Sequence, residues 1–471
     1  MKVLLINPAF SCDLVFGNAA GRIGALLPPL GLAYIASILE KNNHEVDIID
    51  GVLLATKFDR GLEYIRDIIS KSEASVVGVT ATTPQIQAAI DTINMIKTID
   101  PKKITVLGGP HITAVPDTLL AVRSIDYGVW GEGEYSFLEF INKLADGEKP
   151  EGTPGIITRN GGRAAFIPRS YQAQIDEIPF PARHLLPFQE YRPAITNYRR
   201  LPATQIITSR GCPYHCIFCH KSTTGNVFRA HSPEYVLREI ETLIDDYGVK
   251  DIQIFDDTFT LDPERVQRIC EGIKERKLDI GWNCMTRADR LTPDLLKLMK
   301  SAGCYQIGVG IESGSPRILK LIKKGVDKDV LKGAVRMIKA AGIETRCFFM
   351  IGLPTETRDE VKMTIDFARE LNPQVAQFLI ATPYPDTEMW ELCRENGVIN
   401  SSDFSGFTMY RPDCLPFHSD TLAPEELRKL YRSAIITYYL RPRYFFAKLR
   451  SIQTWSDIKR HLIAAGTLAR L

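Results

Sequence analysis

Short β-branched runs alternate with amphipathic stretches through the first 150 residues. KVLLINP, EVDIID, SVVGVT, ITVLGGP and DYGVWGEGE are dense in apolar residues and bounded by turn formers, which predicts strands. Between them LGLAYIASILEKNN and PQIQAAIDTINMIKTI repeat apolar positions at helical spacing. This alternation predicts a doubly wound α/β domain, a parallel sheet with helices on both faces. Such sheets bind ligands beyond the carboxyl ends of their strands. Glycines and small polar residues gather at those ends, at Thr80-Ala81-Thr82, Gly108-Gly109-Pro110-His111 and Gly131-Glu132-Gly133.

Residues 151–200 lose the alternation and gain prolines, as in IDEIPFPARHLLPF, and read as a linker. The pattern resumes at Gln205. QIITSRGC, DIQIFDD, DIGWNCM, CYQIGVGIES, TRCFFMIGLP and VAQFLIATPYP predict strands, with helical segments near 234–246, 263–276, 293–301, 316–340 and 358–371. Six βα units fall short of a closed eight-fold barrel, so a partial (βα)6 barrel with a wide mouth is expected. The expected domains are 1–150, a linker at 151–200, the barrel at 201–395 and a helical basic C-terminal region at 396–471.

Composition adds little until charge is mapped along the chain. Hydrophobic residues are 45% and charged residues 24%, ordinary for a globular protein. The apolar run of MKVLLINP is too short for a signal-peptide core, and Pro28 and Pro29 interrupt the uncharged stretch from Ile23 to Leu39. A cytoplasmic protein with reduced thiols is expected. The net charge of +2 conceals a tail, Arg428 to Leu471, with ten Lys or Arg against one acid. The tail reads as a helical cap with a solvated basic face. Its aromatic and basic residues also suit a peripheral membrane surface. Nucleic-acid binding ranks last, because no recognised module is present.

Chemistry concentrates in SRGCPYHCIFCH. Cys212, Cys216 and Cys219 fall within eight positions of a chain with ten cysteines in all. The other cysteines show no pairing pattern, so metal ligation is favoured over a disulfide framework. Three thiolates can hold three irons of a cubic iron–sulfur cluster and leave the fourth iron open. A zinc site completed by His215 or His220 is the alternative.

CPYHCIFC resembles the cluster loop of the radical S-adenosylmethionine (SAM) superfamily, including the aromatic Phe218 before the last cysteine. The resemblance implies a [4Fe-4S] cluster on the three cysteines, whose open iron is chelated by SAM. Electron transfer would then cleave the sulfonium to a 5′-deoxyadenosyl radical. Other segments match the family more weakly. IFDDTF resembles the motif that holds the methionyl amine, with Asp256 and Asp257; an N-cap pair is the plainer reading. GVGIESGS resembles the fourth-strand motif, which implies Glu312 and Ser313 near the ribose. FFMIGLPTET resembles the segment that reads adenine, with Gly352 and Leu353. Arg287 and Arg346 could meet carboxylates of SAM or substrate, or form internal ion pairs. TPYPDTEMW resembles a P-x-P-G-T pattern with Asp386 in place of glycine.

The N-terminal domain lacks G-x-G-x-x-G after its first strand, which argues against a nicotinamide cofactor. Thr80, Thr82, Gly108, Gly109, Pro110, His111, Gly131 and Glu132 resemble the ligand-contacting segments of cobalamin-binding domains. The D-x-H-x-x-G motif is missing: Asp13 and Gly17 are present, but Val15 stands at the histidine position, and Cys12 nearby reads as structural. The cobalamin-dependent branch of the superfamily, with its class B methyltransferases and anaerobic magnesium-protoporphyrin cyclases, commonly lacks that histidine. His111 is expected to pack near the cofactor tail or backbone and not to ligate cobalt.

Together these implications point to an α/β enzyme with a Rossmann-like cobalamin-binding domain before a partial radical SAM barrel. It would methylate an unactivated carbon of a small-molecule or lipid substrate. A radical cyclase or ring-rearranging enzyme with the same cofactors is the first alternative. A cobalamin or iron sensor is the second. A methylthiotransferase would need an N-terminal cysteine triplet, and only Cys12 precedes Cys212. Both enzyme readings imply a low-potential electron donor such as a ferredoxin or flavodoxin.

Overall fold

The computed structural model describes residues 1–11, 26–58, 61–396, 398–399, 403–411, 421–442 and the single positions 415, 417 and 444. Cys12, Asp13, Val15, Gly17 and most of the basic tail lie outside the described residues.

The first sheet contains β1 (Lys2–Asn7), β2 (Glu45–Asp50), β3 (Val76–Thr80), β4 (Ile104–Gly108), β5 (Tyr127–Val129), β6 (Ile156–Asn160) and β7 (Arg163–Ala165), in the order β2-β1-β3-β4-β5-β6-β7. β1 to β5 run parallel, and alternate residues of β1 feed two cores. Leu4 and Ile6 pack into one, Val3 and Leu5 into the other. A parallel sheet needs both faces covered, and these runs are apolar enough to satisfy both. The strand order reverses between β1 and β3, which opens a crevice at their carboxyl ends.

β6 and β7 pair antiparallel inside the stretch expected to be a linker. Asn160-Gly161-Gly162 supplies the turn, with Gly161 and Gly162 both at positive φ. The rest of that stretch is a strap bound to the barrel. Asp176 accepts from His231 Nδ1 at 2.9 Å and from the Ser232 amide at 3.0 Å. Tyr235 donates its hydroxyl to the Ile178 carbonyl at 3.0 Å. Arg183 pairs with Glu239 at 2.8 Å, both side chains buried.

The second sheet is the partial barrel, with β8 (Ala203–Ile206), β11 (Asp251–Ile254), β12 (Gly281–Thr286), β13 (Cys304–Glu312), β14 (Glu344–Ile351) and β15 (Val375–Ile380). All neighbours are parallel, in the order β15-β14-β13-β12-β11-β8. Its outer helices begin on a repeated local signal. Ser232, Asp262, Thr292 and Ser315 each precede a proline and accept a hydrogen bond from the amide three residues on. Proline at the first helical position loses no bond, and the capping oxygen satisfies an orphan donor. The predicted helix over 316–340 divides into Pro316–Leu321 and Lys328–Ala340, with Gly325 at φ +72° in the break. No helix among the described residues is long and apolar enough to cross a membrane.

Candidate active site

After β8 the chain forms β9 (Ser209–Arg210), leaves the sheet at Gly211, and returns as β10 (Arg229–Ala230), antiparallel to β9. Residues 211–228 are thus an excursion closed at its base, carrying the three cysteines. Gly211 sits at φ +82°, where a Cβ would stand 2.2 Å from the Val227 carbonyl oxygen, so no other residue fits. Asp256, fully buried, fixes the root. It accepts from the Thr208 and Ser209 amides at 2.6 and 3.0 Å and from their hydroxyls at 2.5 and 2.6 Å. Farther along, the Ile217 amide donates to the Ile322 carbonyl at 3.2 Å, and Ile217 in turn accepts from Met389 at 2.9 Å. The Arg287 guanidinium lies 3.6 Å over the Tyr214 ring.

The thiols of Cys212, Cys216 and Cys219 are free, and all three reach solvent to some degree. Among the described residues no three Cys, His, Asp or Glu side chains converge on a point that one ion could occupy. A structural zinc needs four such ligands at roughly 2.0–2.3 Å. A cubic cluster takes its thiolates one per iron, so three thiolates suffice for three of its irons. The surrounding barrel raises the Cys219 thiol above its usual range although the residue is exposed, with Cys216 adding to the effect. Burial also raises Cys216, while Lys324 and Arg287 pull it down.

The other predicted barrel residues divide into three groups. Asp256 has its acceptor positions filled, so it shapes the loop root; Asp257 opens on a cleft and is the carboxylate of the pair available to an ammonium group. The cleft walls and then Asp256 raise the Asp257 carboxyl above its usual range. Near the loop, Glu312 accepts from Lys324 Nζ at 2.8 Å, both buried. Glu312 holds φ +64°, a left-handed position that costs a non-glycine residue roughly 1–2 kcal/mol. Ser313 bonds Thr364 and receives the Ser315 amide. Phe218 packs half-buried against the barrel core. The amides of Gly352 and Leu353 both donate to Glu356 Oε2, at 2.8 and 3.2 Å. Arg346 stands apart. It is the third residue of β14, toward the amino end, and its guanidinium is engaged by Gln377 at 2.6 and 3.1 Å and by Asn197. The sequence placed it on a strand but not at which end of the barrel its partners lie.

Replacing Glu312 with alanine strands Lys324 as a buried cation. Urea denaturation should show a loss of about 3 kcal/mol, largely recovered when Lys324→Met is added.

The cleft lies between the two domains and is open to solvent. Thr80, Gly108, Gly109, Pro110, Gly131 and Glu132 line it from the first sheet. The barrel side contributes Ser209, Arg210, Thr223, Thr224, Phe255 and Asp257. Gly109 sits at φ +95°, where a Cβ would meet Thr80 Oγ1 at 2.6 Å and the Ala81 carbonyl at 2.8 Å. Two predicted residues are not in the lining. Thr82 caps the turn over Thr83–Gln85 by its bonds to Gln85. His111 is buried, with Nε2 3.2 Å from Thr118 Oγ1 and its ring edge-on to Phe404 at 5.0 Å.

The radical SAM superfamily matches residues 206–368, and the B12 binding domain matches residues 19–141. An uncharacterized methyltransferase of Pyrococcus horikoshii is 38% identical over 446 residues, 94% of this chain and 93% of the relative. The chain belongs to the B12-binding branch of the radical SAM superfamily. The cytidylyl-2-hydroxyethylphosphonate methyltransferase of Streptomyces wedmorensis is 29% identical, over 85% of this chain and 83% of its own. The fold matches the radical SAM methyltransferase TsrM of Kitasatospora setae, solved with cobalamin and a [4Fe-4S] cluster. The TM-score is 0.72 at 19% identity, covering 100% and 99% of the two chains.

Membership brings SAM, a [4Fe-4S] cluster and cobalamin, along with a reductant and a substrate. The residues present fit these groups: three free thiols on a closed loop, and a cleft walled by glycines at the carboxyl strand ends. Sequence reasoning missed Gly31, Thr223 and Thr224 in the cleft wall, and it missed Arg210, Arg229 and Glu134. A signal existed for the arginines. They flank the cysteine loop at the ends of short strand segments that follow Ile206-Ile207 and Val227-Phe228, where a buried charge needs a partner.

His111 lies outside the residues that line the cleft. Burial drops its pKa to about 4, and its ring is packed outside the cleft lining. The electron paramagnetic resonance spectrum of cob(II)alamin bound to the His111→Leu protein should match that of the wild type. A changed nitrogen coupling would contradict this placement.

Proposed function

We propose that this enzyme transfers a methyl group to an unactivated carbon of a small-molecule or lipid substrate. One observation supports it most: Thr223 and Thr224, just past the third cysteine, form part of the wall of the cobalamin-domain cleft. When bound, the cluster supplies the electron that cleaves SAM to a carbon radical, and cobalamin carries the methyl group. Net, a substrate C–H becomes C–CH3. Two molecules of SAM and two electrons give S-adenosylhomocysteine, 5′-deoxyadenosine and methionine.

In this reading Cys212, Cys216 and Cys219 hold the cluster. Asp257 receives the methionyl ammonium, a charge-assisted pairing. The 310–313 and 352–353 backbones, fixed by Lys324 and Glu356, border the rest of SAM. Thr80, Gly108, Gly109, Pro110, Gly131 and Glu132 form the corrin side. A ferredoxin or flavodoxin supplies the electrons, and the enzyme works in the cytoplasm. The basic tail offers a peripheral membrane contact for a lipid substrate.

The test is anaerobic turnover with methyl-labelled SAM, a low-potential reductant and a small-molecule extract. The proposal expects a labelled product, with S-adenosylhomocysteine and 5′-deoxyadenosine formed together. Formation of 5′-deoxyadenosine with no S-adenosylhomocysteine would favour cyclisation or rearrangement and overturn methyl transfer.

A further inference from the structure

Both ends of the cysteine loop are pinned by arginine. Arg210 closes β9 immediately before Gly211, and Arg229 opens β10 where the loop returns. Their acids come from the other domain. Arg210 meets Glu134 at 2.7 Å and Glu132 at 3.3 Å. Arg229 forks onto Glu132 at 2.9 and 2.7 Å. None of the four side chains is more than 12% exposed.

A dry lattice of this kind is a poor way merely to glue two domains, because desolvation consumes most of its attraction and apolar residues adhere as well. What it offers is geometry. A guanidinium fork fixes distance and orientation in a way that an apolar contact does not. Arg229 uses that capacity fully. Besides Glu132 it donates to the Thr224 carbonyl at 2.7 Å and to the Gln172 carbonyl at 3.0 Å, with the Tyr171 ring 4.9 Å away. Thr224 belongs to the cysteine loop and Glu132 to the β5 end of the other sheet, and both line the cleft. The Tyr171 hydroxyl adds a bond to the Ser222 carbonyl at 2.8 Å. One side chain thus touches the loop that carries the thiols and the wall that receives the corrin.

We infer that Arg229, assisted by Arg210, is a positioning residue that holds the cysteine loop in register with the cobalamin cleft, so that filling either site orders the other. This rests on the cofactor assignment above. Order gained at Glu132 on corrin binding passes through Arg229 to Thr224, and order gained at the thiols passes back. Such coupling is reciprocal, typically about 5- to 150-fold in affinity.

The experiment titrates hydroxocobalamin into the full-length protein, metal-free and after anaerobic iron–sulfur reconstitution. Hydrogen exchange of the 211–228 amides is followed in parallel. Wild type is expected to bind hydroxocobalamin about tenfold more tightly when reconstituted. Hydroxocobalamin alone should slow exchange across 211–228. Arg229→Lys keeps a charge for Glu132 but lacks the fork that also reaches Thr224 and Gln172. It should bind hydroxocobalamin when metal-free, with the affinity ratio falling to about one and the exchange effect lost. If Arg229→Lys unfolds, Tyr171→Phe, which loses the bond to the Ser222 carbonyl and lies outside the cleft lining, carries the same comparison. Tight binding with a wild-type ratio of one, or a ratio that Arg229→Lys leaves unchanged, overturns the coupling alone. A wild type that takes up no hydroxocobalamin overturns the coupling and the cofactor assignment together.

Discussion

Replacing Cys216 with alanine should leave a folded chain that forms no stable brown chromophore on anaerobic reconstitution. Its yield of 5′-deoxyadenosine should fall at least about 1000-fold, since the electron that cleaves SAM comes from the cluster. The fold should survive because the thiol does little for it. Cys216 is only partly buried, and its Sγ reaches the Lys323 carbonyl at a long 3.9 Å. The loop keeps its shape through Gly211, Asp256, the Ile217 backbone and the Arg229 bonds, none of which involves sulfur. Circular dichroism and urea denaturation should therefore overlay the wild type, while iron content and SAM cleavage collapse. Loss of fold together with iron would mean that the cysteines are structural.

The second large effect is expected at Gly31. This residue lies in the first turn of the helix Leu30–Lys41 and lines the cleft. A Cβ there meets nothing within 4 Å among the described residues. A larger side chain would project from the wall of the cleft assigned to the corrin, with room for its first atom. Gly31→Trp should match or slightly exceed wild-type stability, because glycine is a weak helix former. Its affinity for hydroxocobalamin should fall at least about 1000-fold, equivalent to about 4 kcal/mol. Gly109→Ala makes an instructive contrast. Its Cβ would clash with Thr80 and Ala81, so it should lose stability and binding together. Unchanged hydroxocobalamin affinity in Gly31→Trp would remove the cleft from the account.

Much of this site can be read from sequence where the chemistry is local. Three thiols must lie on one loop, so their spacing survives as a motif. Helix starts are likewise local, and Ser232-Pro233, Asp262-Pro263, Thr292-Pro293 and Ser315-Pro316 announce them. Strand-end glycines mark the crevice because only small residues admit a ligand there. The hairpin of β6 and β7 was also signalled, by Asn160-Gly161, but the surrounding prolines obscured it. Long-range pairing leaves no such trace. Nothing around Glu132 shows that its partners lie at 210 and 229, and nothing around Asp256 shows that Thr208 and Ser209 fill its acceptors. Arg346 illustrates direction. Its strand is legible, but its contact with Asn197 depends on the fold of a distant strap. Gly31 hides inside an ordinary helical pattern.

The most direct measurement is the inorganic and corrin content of the anaerobically reconstituted full-length protein, read with its SAM cleavage. The account predicts about four irons with matching sulfide per chain, one tightly held cobalamin, and 5′-deoxyadenosine on reduction with SAM. A chain that binds a single zinc, takes up no cobalamin and leaves SAM intact would contradict it.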